Sequence, residues 1–157
     1  MIERWQLAEV MESLRYRRVV HITGARQTGK TTLAASVELP KMRRYTMDNA
    51  NICDVANDNP IEFTARKDGE TIIIDEVQKV PELLNAIKIH VDESQERGQY
   101  LLTGSSSLDF MRQSADSLAG RMHTIHLHSL ALGEIYGNKP AFLDNAFRRE
   151  FAEPSAT

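Results

Sequence analysis

The residues Gly24-Ala25-Arg26-Gln27-Thr28-Gly29-Lys30-Thr31 match the phosphate-binding pattern G-x-x-x-x-G-K-[ST] at every fixed position. The chemistry this implies is the cradling of a polyphosphate. Glycines at 24 and 29 let the backbone turn and approach an anion closely, because no Cβ stands in the way. Backbone N–H groups then converge on one concavity, and a helix starting near Lys30 adds its positive end. Lys30 would reach the β- and γ-phosphate oxygens of a nucleotide, and the Thr31 hydroxyl would hold Mg²⁺. A second chemical element follows at Thr71-Ile72-Ile73-Ile74-Asp75-Glu76, an apolar strand that ends in paired carboxylates. Open α/β sheets bind ligands at the C-terminal ends of their strands. Asp75 is therefore placed to complete a Mg²⁺ shell. Glu76, one residue on, is expected on the other side of the strand, as the group that orients or deprotonates an attacking water.

Strands and helices must bring these two elements together. Val19–Thr23 reads as the buried strand that feeds the loop, and residues 30–37 as the helix that leaves it, stopped before Pro40. Apolar positions at Ile2, Trp5, Val10, Met11 and Leu14 suggest an N-terminal helix over 1–15, closed by the basic run Arg15-Tyr16-Arg17-Arg18. Arg43–Met47 is a second strand, and Asp48–Asn51 a turn-rich cluster. Asp54–Asn57 reads as a helical turn, Asn59-Pro60 as a breaker and Ile61–Arg66 as a short helix. A helix from Val80-Pro81 to Val91, a strand over Gln99–Thr103, a short helix over Leu108–Arg112 and a polar stretch over Ser114–Gly120 come next. A last strand spans Met122–Leu130, and a helical turn spans Leu132–Tyr136. Residues 137–157 show no element pattern, and Phe151–Thr157 reads as a frayed end. Strands alternating with helices predict a three-layer α/β/α domain with a mostly parallel sheet.

Composition narrows the classes. The chain has 157 residues, 41% apolar and 26% charged, which is one domain's worth of soluble globular protein. A net charge of −3 gives no general attraction to nucleic acid or to an anionic membrane, though a local basic patch remains compatible with either. No apolar run approaches the roughly 20 residues of a membrane span, and the N-terminal residues do not resemble a signal peptide. Cys53 is the single cysteine, so no intrachain disulfide or cysteine-based zinc site forms, and a reducing cytoplasm fits. His123, His126 and His128 are the best metal-cluster candidate, but strand alternation turns His123 away from the other two. Trp5 reads as a packing anchor, and Cys53 lacks a histidine at nucleophile-activating spacing.

Taken in order, GARQTGKTT, IIIDEVQKVPELLNAI, LLTGSSS and SLAGR resemble the AAA-family ATPases of bacteria and archaea. The similar type has an AAA module followed by a C-terminal domain of poorly known function, and the resemblance covers residues 2–136. It implies a five-stranded sheet in the order 5-1-4-3-2, ATP as ligand and Mg²⁺ as cofactor. The phosphate-contacting set then runs from Gly24 through Ala25, Arg26, Gln27, Thr28, Gly29, Lys30 and Thr31 to Thr32, with Arg26 and Gln27 shaping the loop. Asp75 joins Thr31 at the metal, and Glu76 is the catalytic base. The polar residue that senses the γ-phosphate falls at Thr103 or Ser105, with Ser105 the narrow choice. Arg121 lies where the family places an arginine finger, which implies a homo-oligomer whose subunits complete each other's sites.

Family members continue into a lid or further domain, so this chain is expected to be a truncated or minimal form, with an ATPase domain over 1–136 and a tail over 137–157. The client would be an unidentified protein or nucleic acid, with no membrane partner. A GTPase reading fails, because Asp75-Glu76-Val77-Gln78 lacks the Asp-x-x-Gly element and Asn138-Lys139-Pro140-Ala141 is no guanine reader. A small-molecule kinase would need an acceptor-binding arginine cluster and a lid. The rival from another class is a non-catalytic nucleotide-binding or interaction module, which the missing lid motivates and Glu76 opposes.

Overall fold

The computed structural model describes residues 2–105 and 118–137. Two compact units form, one from Trp5–Ser129 and the other from the residues up to Arg4 with the segment from Leu130 on. The larger unit is built on a parallel sheet of five strands: β1 (Val19–Gly24), β2 (Met42–Thr46), β3 (Thr71–Asp75), β4 (Tyr100–Ser105) and β5 (Met122–His126). Their spatial order is β2-β3-β4-β1-β5, the expected 5-1-4-3-2 read from the other edge.

Side-chain alternation explains the three layers. On β3, Ile72 and Ile74 face one way and Ile73 the other; on β4, Tyr100 and Leu102 oppose Leu101. One face packs against α3 (Ala50–Asp58), α4 (Pro60–Thr64) and α5 (Glu82–Glu93), through residues such as Ala56, Leu83, Leu84 and Ile87. The other packs against α1 (Gln6–Tyr16) and α2 (Lys30–Ala35), through Val10, Leu14, Leu33 and Ala34. With both faces covered, β3 is buried at every residue, which is why its sequence runs as unbroken isoleucine instead of alternating.

Some elements differ from the sequence expectation. The stretch expected as a turn cluster and one helical turn is a full helix, α3, because the Asn49 side chain accepts from the N–H groups of Asn51 and Ile52 and starts it early. Asn59 acts as a joint as well as a breaker. Its N–H closes α3 on Val55, and its side chain caps α4 at Glu62, with Pro60 in the first turn. The last strand ends at His126, four residues early, after which Leu127 still donates to Thr23 O at 2.7 Å. The expected helix over Leu108–Arg112, most of the polar stretch that follows it, and the tail from Asn138 lie outside the described residues.

In the smaller unit, α6 (Leu132–Ile135) is preceded by Ala131, whose N–H is held by the Glu134 carboxylate at 2.8 Å. The other oxygen of Glu134 takes Arg4 Nε at 3.0 Å, in an ion pair that is almost fully buried. Among the described residues no helix is long and apolar enough to cross a membrane.

One buried group gives the fold a pH signature. His21, in the middle of β1, is 1% exposed. Burial, with His126 and Lys30 adding like charge, lowers its pKa from the usual 6.5 to about 4. Below pH 6.5 the unfolded chain therefore takes up a proton that the folded chain refuses. The neutral ring's advantage is complete above pH 6.5 and drains away as pH falls toward 4. The full effect is on the order of 3 kcal/mol. Urea denaturation at stepped pH should show stability falling between pH 6.5 and 4.5, and His21→Leu should flatten that window. An equal slope in both proteins would remove His21 as the cause.

Candidate nucleotide-binding site

The loop between β1 and α2 is fixed by its two motif glycines for different reasons. Gly24 ends β1 beside the chain that leaves β5; a Cβ there would stand 2.4 Å from Leu127 O. Gly29 holds φ 90°, the left-handed region, at the residue just before α2. Between them Gln27 also has positive φ, at 62°. The Thr28 hydroxyl donates to Ala25 O at 2.9 Å and ties the loop across its base. Lys30 folds back over the loop, its ammonium donating to Gly24 O at 3.1 Å and Ala25 O at 2.8 Å. An ammonium has three N–H donors, so one remains for an anion and the carbonyl contacts can be exchanged for phosphate oxygens. The N–H groups of the first turn of α2 have no carbonyl within the helix to bind, which adds donors at the same place.

Strand parity assembles the second half of the site. Thr46 and Asp75 end β2 and β3, and Thr103 lies two residues before the end of the neighbouring β4, all on the face that α2 covers, and Thr31 on α2 meets them there. The Asp75 carboxylate, 7% exposed, accepts from Thr31 Oγ1 at 3.1 and 3.0 Å, from Thr103 Oγ1 at 2.5 Å and from Thr46 Oγ1 at 3.5 Å. Because the Thr31 proton goes to Asp75, the lone pairs of its oxygen stay available to a cation. Among the described residues no group of three or more His, Cys, Asp or Glu could hold a metal ion. A cation at Thr31 and Asp75 would thus need ligand phosphates to complete its shell, the usual arrangement for Mg²⁺ and the one these residues fit.

Glu76 departs from the sequence expectation. It does not continue the strand to the opposite face: its backbone is left-handed, φ 58° and ψ 43°, and it opens the single 3₁₀ turn Val77–Lys79. Gln27 and Glu76 are the non-glycine residues with positive φ among those described, and both line one cleft. Such conformations cost on the order of 1–3 kcal/mol and persist only where neighbours enforce them. Here Thr103 Oγ1 accepts the Glu76 N–H at 3.1 Å, and Gln78 Nε2 donates to the Glu76 carboxylate.

The cleft holds about 1020 Å³ and is lined by Arg26, Gln27, Gly29, Lys30, Thr31, Thr32, Asp48, Glu76, Gln78 and Lys79. The loop and Glu76 thus face one space. Lys79 and Asp48, paired at 2.6 Å, are part of its lining, and the carboxylate raises the lysine pKa. Thr46, Asp48, Gln78 and Lys79 occupy no fixed position of a motif in the sequence. The available signal was their position just before or after the ends of β2 and β3, where an open parallel sheet receives its ligand.

Two other predicted residues sit elsewhere. The Ser105 backbone ends β4 opposite Gly24 in the β1–β4 register, next to the loop. Arg121 lies at the far end of the sheet: β5 runs parallel to β1 with Met122 opposite Val19, roughly 17 Å of strand from the loop at about 3.3 Å per residue. Its guanidinium grips Asp92 in a two-pronged pair at 2.5 and 3.1 Å and lowers the carboxyl pKa.

The segment that carries this loop, acidic strand end and sheet is similar to a known family. Residues 16–136 match the family described as AAA domain. The chain belongs to that AAA family. Two uncharacterized proteins, one from Mycobacterium bovis and one from Mycobacterium tuberculosis, are each 31% identical to this AAA domain chain over 166 aligned positions. The alignment covers all of this chain and 35% of each relative, so the chain spans about a third of the length of the relatives it matches. Among solved structures, the Aeropyrum pernix ORC1 protein in complex with DNA superposes with a TM-score of 0.55 at 16% identity, over 95% of this chain and 50% of that one. A DNA replication initiation factor superposes with a TM-score of 0.52 at 13% identity, over 91% of this chain and 49% of that one. At these identities the likeness carries the AAA fold.

Proposed function

We propose that this AAA domain binds ATP with Mg²⁺ and hydrolyses it to ADP and phosphate, driving a conformational change or partner exchange on a macromolecular client. The observation that supports this reading is the convergence of Lys30, Thr31 and Glu76 on one cleft, with Asp75 hydrogen-bonded to Thr31 beside it. The loop N–H groups and Lys30 would bind the β- and γ-phosphates, Lys30 giving up its carbonyl contacts to do so. Thr31 and Asp75 would hold Mg²⁺, which supplies neutralisation of phosphate charge. Glu76 would take a proton from a water as the water oxygen bonds to the γ-phosphorus and the bond to the β-phosphate oxygen breaks, releasing ADP. Ser105, opposite Gly24, is our candidate for the γ-phosphate sensor. The ATPase module is taken as residues 1–136. A reducing cytoplasm suits its free Cys53. DNA appears with the ORC1 neighbour, but a fold likeness at 16% identity does not bring that ligand here, so the client stays a protein or a nucleic acid.

Arg121 is proposed to act in a neighbouring subunit. From the far end of the sheet it does not reach its own loop, and the pair with Asp92 holds it partly exposed. A contact between that end of one subunit and the loop of the next joins unlike surfaces, giving a ring or an open helix. In this assembly Arg121 would stabilise transition-state charge in trans, after release from Asp92.

Phosphate release should fall by roughly 10²-fold or more in Glu76→Gln, with affinity for a fluorescent ATP analogue retained, whereas Lys30→Ala should lose that affinity. Equal turnover by wild type and Glu76→Gln would remove Glu76 as the base. For the trans arrangement, Arg121→Ala and Lys30→Ala should each be inactive alone and regain turnover when mixed. A fully active Arg121→Ala would leave Arg121 as the surface partner of Asp92.

A further inference from the structure

The hydroxyl of Thr103 makes two hydrogen bonds that together connect the metal-side acid to the base. The residue is fully buried, with 0% exposure, so water does not substitute for either contact. A hydroxyl has one proton, and an ionised carboxylate can only accept. The proton therefore goes to Asp75 Oδ1, and a lone pair accepts the Glu76 N–H at 3.1 Å. These directions cannot be exchanged. One oxygen atom thus orients the Asp75 carboxylate toward Thr31 and pins the Glu76 backbone in its left-handed conformation. Both polar functions of the hydroxyl are spent inside the protein, which leaves no donor on Thr103 for a phosphate.

We infer that Thr103 is a positioning residue, whose hydroxyl sets the metal-side carboxylate Asp75 and the base Glu76 in register with each other. The inference rests on the reading of Asp75 and Glu76 proposed above. It separates two jobs that the strand end could have combined: Thr103 holds the acidic pair together, and any direct sensing of the γ-phosphate belongs to another residue. It also makes β4 the element that couples the two acids, since a displacement of Thr103 would move both.

The variants Thr103→Val, which keeps the shape and removes the hydroxyl, and Thr103→Ser, which keeps the hydroxyl, separate this role from packing. Amide hydrogen exchange in the nucleotide-free protein is read first. At the Glu76 N–H, exchange should speed up by roughly tenfold in Thr103→Val, about the worth of one hydrogen bond, and stay near wild type in Thr103→Ser. The Mg²⁺ enhancement of ATP affinity should then fall by about tenfold in Thr103→Val, with Mg²⁺-free affinity unchanged, and be retained in Thr103→Ser. Thr103→Cys, close in size with a weak donor, replaces Thr103→Val if that variant does not fold cooperatively. Unchanged exchange at Glu76 in Thr103→Val, or a serine variant as defective as the valine one, would overturn the inference. Wild-type protein whose ATP affinity ignores Mg²⁺ would instead overturn the reading of the site itself, and the exchange result distinguishes the two failures.

Discussion

The Asp75 carboxylate is the interaction on which the site depends. It is nearly buried at the end of β3, and three threonine hydroxyls from α2, β4 and β2 donate to it. A buried carboxylate without such donors would carry a large desolvation cost. Here the donors satisfy the charge and also weld the loop helix to three adjacent strands. The loop therefore cannot move relative to the sheet end without breaking charge-assisted hydrogen bonds, which are roughly twice as strong as neutral ones. The ligand site is pre-formed for the same reason that the fold is stable there.

The glycines do the complementary work of allowing close approach. Gly24 lets the backbone at Leu127 press against the start of the loop, so β5 bounds the loop from one side. Lys30 then bridges the carbonyls that the tight turn exposes. Among the described residues, Gln27 and Glu76 are the left-handed non-glycine positions, and both line the cleft.

Much of this could be read from the residues. The unbroken isoleucines of β3 announced a strand covered on both faces, and the glycine–lysine–threonine spacing announced the loop, because both patterns are imposed locally. The threonine cluster was not legible, since Thr46, Thr103 and Thr31 are far apart in sequence and meet only through strand order and side-chain parity. Strand alternation stops at Asp75: the backbone turns left-handed at Glu76, a change that residue types alone do not record. The full length of α3 was also hidden, since Asp48–Asn51 has turn composition and the asparagine at 49 turns out to be a helix cap. In each case the deciding contact was tertiary or involved a cap, which composition records only as polarity.

The central claim is that Thr31 and Asp75 stand ready beside the loop as a seat for a phosphate-bound cation. Titration calorimetry of the wild-type chain with ATP, in matched buffers with and without Mg²⁺, tests it most directly. The account predicts one nucleotide per chain, bound at least about tenfold more tightly with Mg²⁺, or roughly 1.4 kcal/mol. Binding that is absent, or equally tight in the two buffers, would contradict it.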